Sequence, residues 1–183
     1  MKIVGYVLFG QDNGTRMFGS DSAVARCGTC GYILDVNASN PDYVLRRADL
    51  DISSTFENRV IVSRAFKKFC EQAKCEGVTF RGFSADRDHF HLTVAREVSF
   101  DPIARKTRFE KKCPSCGNYE AVAGATPAFL KIKEPLPDGF FRTDVLFGSG
   151  DERQPLIIVG VETKAKLEKA GLRGLEFAPA YAA

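Results

Sequence analysis

Four of the six cysteines fall into two pairs with one local signature. Arg26–Tyr32 reads RCGTCGY and Lys112–Asn118 reads KCPSCGN, each a Cys-x-x-Cys followed directly by Gly. A turn of this kind puts two sulfurs on one side of a tight loop, where backbone N–H groups can stabilise thiolate charge. Gly after the second Cys permits φ > 0, which closes the knuckle. Pro114 fixes φ inside the second turn. Four thiolates are a usual donor set for a structural, tetrahedral zinc ion. Cys27, Cys30, Cys113 and Cys116 are therefore the candidate ligands of one Zn2+, in a zinc ribbon built from residues 20–36 and 108–122.

The spacing is unusual, since 82 residues separate Cys30 from Cys113 where a ribbon commonly has about 15–20. A long gap is physically acceptable, because closing a longer loop removes more entropy from the unfolded chain. Two other readings stay open. A thioredoxin-like redox pair would set one Cys-x-x-Cys at a helix N-terminus, but both pairs lie between extended segments. The cysteines could also be unrelated core residues. Cys70 and Cys75 read as small buried hydrophobes.

Other residues carry weaker signals. His89 and His91 alternate with Phe90 and Leu92 in DHFHLTV, which predicts a strand with both imidazoles on its solvent face. A His-x-His pair can bind metal, and Asp86 or Asp88 is the only local help. RKTRFEKK at 105–112 carries Arg105, Lys106, Arg108, Lys111 and Lys112 against one acid, Glu110. It could contact phosphates, face an acidic protein, or be a solvated strand face. The chain has no Gly-x-Ser-x-Gly, P-loop or dinucleotide fingerprint, so the expectation is a non-enzyme.

The elements that must position these residues follow from patterning. Residues 2–9, 60–62, 78–80, 143–147 and 156–159 read as strands, as does Tyr32–Val36. Apolar residues at Ala65, Phe66, Phe69, Cys70 and Ala73 share a helical face, with Ser63 as N-cap. Val161–Ala170 reads as a second helix ended by Gly171. Residues 60–80 and 157–177 form an internal repeat at an offset of 97: Val62 matches Val159, Glu71 matches Glu168, Gly77 matches Gly174 and Phe80 matches Phe177. The expected fold is α+β, mostly antiparallel strands, with two strand–helix–Gly–strand units and the split ribbon, in a single domain over 1–183.

Composition narrows the class. With 44% hydrophobic and 27% charged residues in 183, and 15 Phe without Trp, the chain is an ordinary globular one. A net charge of +3 permits nucleic-acid binding without arguing for it. No run nears the roughly 18 apolar residues of a membrane span. A cytoplasmic protein with no membrane partner is expected, and free or metal-bound thiols fit that reducing setting.

Cys27-Gly28-Thr29-Cys30-Gly31 and Cys113-Pro114-Ser115-Cys116-Gly117, with the ending LEKAGLRGLEFAPA, resemble the double-CXXCG motif proteins of myxobacteria and related bacteria. The resemblance implies metal ligation by those four cysteines. It also implies immunity, by binding one cognate toxin protein of a contact-delivered or polymorphic toxin system. Candidate contacts by composition are Tyr43, Arg46, Arg47, Phe140 and Arg142, with Arg105, Lys106 and Arg108 from the basic stretch. A zinc-ribbon nucleic-acid binder is the alternative.

Overall fold

The N-terminal strand β1 (Ile3–Asp12) sorts its side chains onto two sheet faces, as period-two geometry requires. Tyr6 and Leu8 belong to one apolar cluster, and Val7 and Phe9 to another. The computed structural model describes residues 1–19, 23–46 and 49–183. Strands β2 (Ile52–Ser54), β3 (Val60–Ser63), β4 (Val78–Gly82), β5 (His89–Val94) and β6 (Glu97–Val98) follow β1, with helix α1 (Arg64–Gln72) between β3 and β4. After the short helix α2 (Pro102–Arg105) come β7 (Arg108–Lys112), β8 (Tyr119–Ala123), β9 (Ala128–Leu130), β10 (Phe140–Ser149) and β11 (Gln154–Val159). Helix α3 (Val161–Lys169) and β12 (Leu175–Ala182) complete the chain.

The main path of the sheet runs β4-β5-β3-β2-β1-β11-β10-β8-β7, and β12 pairs with both β1 and β9. Most pairings among the described residues are antiparallel. The parallel ones are β1 with β2, β10 with β6 and β12 with β9. The protein is therefore α+β with a mostly antiparallel sheet.

The two repeated stretches share one topology. β3 and β4 both lie antiparallel to β5, which sits between them. β11 and β12 likewise flank β1. Each stretch is thus a split β-α-β unit, whose helix carries the chain past one intervening strand. Both helices cover the same apolar cluster, through Phe66 and Cys70 of α1 and Leu167 of α3. Ser63 caps α1, its hydroxyl accepting from the Phe66 N–H at 3.2 Å, which satisfies an otherwise unpaired donor.

Two local expectations are corrected. Tyr32–Val36 is not a strand. Only Ile33 bridges, to Arg26, because Asp35 Oδ1 accepts from the Asn37 N–H at 2.8 Å and turns the chain. His89 and His91 do lie on a strand, but their face is buried rather than solvated. The segment between β1 and β2 folds over it, packing Met17, Phe18, Ile33, Tyr43 and Leu45 against Ile61 and Phe83.

Candidate metal centre

Each knuckle is closed by the same hydrogen bonds. The Gly31 N–H donates to the Cys27 carbonyl at 2.8 Å, and the Gly117 N–H donates to the Cys113 carbonyl at 2.9 Å. One position on, the Cys27 N–H donates to the Tyr32 carbonyl at 2.8 Å and the Cys113 N–H to the Asn118 carbonyl at 2.7 Å. Gly31 and Gly117 both sit at φ 72°, in the left-handed region that glycine occupies at no steric cost.

The knuckles have different supports. The second is the turn of the β7–β8 hairpin, with Lys112 opposite Tyr119. The first rests on the single Arg26–Ile33 bridge. Both are held by the end of β10 and its connection to β11. β8 pairs with the end of β10, Val122 opposite Gly148. Arg26 reaches Asp151 at 2.6 Å, and Arg153 stacks over the Tyr32 ring, its guanidinium carbon 3.9 Å from the centroid.

Held this way, the four sulfurs converge. Cys27 and Cys113 Sγ lie 3.9 Å apart and Cys30 and Cys116 Sγ 3.7 Å apart. All four lie within 4.8 Å of one another. A tetrahedral ion with metal–sulfur bonds of about 2.3 Å demands sulfur–sulfur edges of about 3.8 Å. The four cysteines are thus close enough to bind a metal ion, and their spacing fits a tetrahedral thiolate site. Cys27 and Cys113 are buried, and Cys30 and Cys116 half-buried.

Backbone amides prepare the thiolates. The N–H groups of Cys30 and Thr29 donate toward Cys27 Sγ and hold that thiol below its ordinary range. The Asn118 backbone N–H, helped by its side-chain amide, brings Cys116 down to about 6. The Tyr32 N–H favours the Cys30 thiolate in the same manner, but desolvation and the three neighbouring sulfurs outweigh it and push Cys30 up to about 12. That conflict among clustered thiols is what a bound cation relieves, since metal binding expels the remaining protons. Four thiolates around a divalent ion carry a net formal charge of −2. Arg153, buried and without a carboxylate partner among the described residues, places a compensating cation beside the Tyr32 end of the first knuckle.

The remaining candidates are scattered. Tyr43 is buried, its hydroxyl 2.7 Å from Thr15 Oγ1 and accepting from Asn13 Nδ2 at 3.3 Å. Phe140 is fully buried against Phe66. Neither is a surface contact, because the apolar ring that suggested an anchor instead fills the core. Arg142 is half-buried and paired with Glu97 at 3.0 Å. Arg46 is exposed, and Arg47 lies outside the described residues. Arg105 donates from Nε to the Thr126 carbonyl at 2.9 Å, while Lys106 and Arg108 are exposed. His89 is bound to Asp86 at 2.9 Å, and Asp86 also accepts from the Leu45 N–H at 3.2 Å. That pair pins the covering segment, and neither imidazole belongs to the four-sulfur cluster.

Sequence reasoning missed Thr29 and Ser115, whose hydroxyls meet at 2.6 Å across the knuckle tips. The signal was present, since both motifs carry a hydroxyl residue just before their second Cys. Compared with known proteins, the chain matches no family model and no curated protein.

Proposed function

We propose that this chain is a zinc-stapled binding protein, and that it serves as an immunity protein neutralising a cognate toxin by direct association. The convergence of four cysteine sulfurs from two distant knuckles carries the first half of this reading. Zinc suits the donor set, being an ion that takes four thiolates tetrahedrally and is not itself redox-active. Four protein thiolates fill every position of such an ion, leaving none for a substrate or an activated water. The ion would therefore hold the first knuckle against the β7–β8 hairpin as a structural element. The resemblance of both motifs and of the GLEF ending to double-CXXCG proteins supports the immunity role. No helix among the described residues is long and apolar enough to cross a membrane.

The nucleic-acid reading rests on β7, which is exposed along its length. Its cations are largely engaged. Lys111 pairs with Glu120 at 3.2 Å, Lys112 lies over Tyr119, and Arg105 is bound to the Thr126 carbonyl. That leaves Lys106 and Arg108, too few for the strongly salt-dependent binding that many phosphate contacts produce.

The test is to identify any toxin domain encoded in the neighbouring genes and co-express it with this chain. Rescue of growth, together with a stable complex on size exclusion, is the expected result. Full toxicity with no complex refutes the immunity reading. Retention on single-stranded or duplex nucleic acid at about 50 mM salt, lost at about 200 mM, would favour the alternative.

A further inference from the structure

Helix α1 ends in a capping turn that brings the two remaining cysteines together. Lys74 adopts φ 52°, in the left-handed region. The Lys74 N–H donates to the Glu71 carbonyl at 3.3 Å and the Cys75 N–H to the Cys70 carbonyl at 2.8 Å. This is the paired hydrogen-bond pattern of a Schellman motif, in which the residue two past the cap packs on the residue three before it. Those two residues are Cys75 and Cys70. The equivalent positions of the second unit are Leu172 and Leu167, both part of the same apolar cluster. Here the two positions that the capping turn brings side by side are both cysteines.

The geometry permits a bond. Backbone dimensions put a carbonyl oxygen about 2.4 Å from its own Cα and an amide nitrogen about 1.5 Å from its own. With 2.8 Å between Cys75 N and Cys70 O, the two Cα atoms are at most about 6.7 Å apart, inside the range that disulfides span. The two sites also differ in access. Cys70 is buried in the core between the helices, whereas Cys75 is half-buried at the surface.

We propose that Cys70 and Cys75 form a reactive dithiol, separate from the four-cysteine cluster, that exchanges with low-molecular-weight disulfides and closes into an intrachain disulfide. The Cys75 thiolate attacks one sulfur of the small disulfide, forming a mixed disulfide and expelling one thiolate. Cys70 then loses its proton, and its sulfur attacks Cys75 Sγ and expels the second thiolate. Two protein thiols are oxidised by two electrons, and one small disulfide is reduced to two thiols. The order of attack follows from the environment. The Cys70 S–H donates toward Cys75 and, against the cost of burial, favours the Cys75 thiolate. Lys166 favours it as well, and Asp138 opposes it. Cys70 is pushed far up, by that hydrogen bond first and by burial second.

Trypsin reads the outcome, because cleavage after Lys74 places Cys70 in Phe69–Lys74 and Cys75 in Cys75–Arg81. The metal-loaded full chain is treated with glutathione disulfide, alkylated, digested and weighed. The expected product is the two peptides joined, lighter than their sum by two hydrogens and released by dithiothreitol. Cys70→Ser should stop at a glutathione adduct on Cys75, and Cys75→Ser should leave Cys70 unmodified. Recovery of both wild-type peptides as alkylated free thiols overturns the proposal. So does an adduct on Cys70 in Cys75→Ser, or linkage of Cys70 or Cys75 only to a cysteine of the four-sulfur cluster.

Discussion

Thr29 and Ser115 touch across the tips of the two knuckles, their hydroxyl oxygens 2.6 Å apart. They are separated by 86 positions, as are Cys27 and Cys113 and also Cys30 and Cys116. The two knuckles therefore meet as like faces, residue against corresponding residue. That pairing sets the two like-residue sulfur distances at 3.9 and 3.7 Å and brings all four sulfurs within 4.8 Å of one another.

Purified protein should contain about one zinc per chain, resistant to dialysis, as a tetrahedral four-thiolate site requires. Elemental analysis with a parallel thiol titration checks this. Substoichiometric metal with four freely titrating cluster thiols would sink the assignment.

Replacing both Cys113 and Cys116 by Ser, which frees the second knuckle from the ion, should destabilise the fold strongly. An ion linking Cys27 to Cys113 closes a loop of 86 positions, and a cross-link of that length is worth about 4–5 kcal/mol in unfolded-state entropy. Chemical denaturation of the zinc-loaded chain should show a loss of this order. An unchanged midpoint would mean that the knuckles do not hold the fold.

Gly31→Ala and Gly117→Ala isolate the knuckle backbone. An added Cβ meets nothing within 4 Å at either position, so the penalty comes from φ 72° alone. Each should cost about 1–2 kcal/mol, read by thermal melts. Asn, which tolerates this region better, should cost less.

Stability should fall in acid through His91. Burial, then the charges of Arg59 and Arg81, push His91 down to about 3. The unfolded chain takes up that proton near pH 6.5 while the folded chain does not, so stability is full above 6.5. It declines as pH falls toward 3, by about 3 kcal/mol at pH 4. Carboxylates and metal-bound thiolates add their own acid sensitivity. The measurement is accordingly the difference in slope between wild type and His91→Gln from pH 7 to 4. Parallel slopes would refute the assignment.

Tyr43→Phe removes a buried hydroxyl shared with Thr15 and Asn13. It should cost about 1 kcal/mol, the net worth of the lost hydrogen bonds, since Asn13 keeps Ser53 and Thr15 keeps Asn13 as partners. Formation of the complex proposed above should not change, because Tyr43 is buried.

The sequence by itself determined what depends on neighbours along the chain. The knuckles are local objects, set by Cys spacing and by Gly at the one position that needs positive φ. Helix α1 follows from its apolar period and its Ser63 cap, and the repeated stretches announce two similar units because each is a contiguous strand, helix and turn. What lies far apart in sequence was decided only by the tertiary structure. Nothing near His89 and His91 says that the β1–β2 segment will cover them, since alternation marks two faces without saying which will be wet. Tyr43 and Phe140 have the residue types of surface anchors and core fillers alike, and only packing chooses. Cys70 and Leu167 hold one position in the repeat, yet only the folded capping turn brings Cys75 beside Cys70. The four-sulfur site itself is the plainest case. Each half is written locally, but convergence requires the end of β10 and the turn after it to carry both knuckles, the second through its pairing with β8 and the first through Arg26 and Asp151, which lie 125 positions apart.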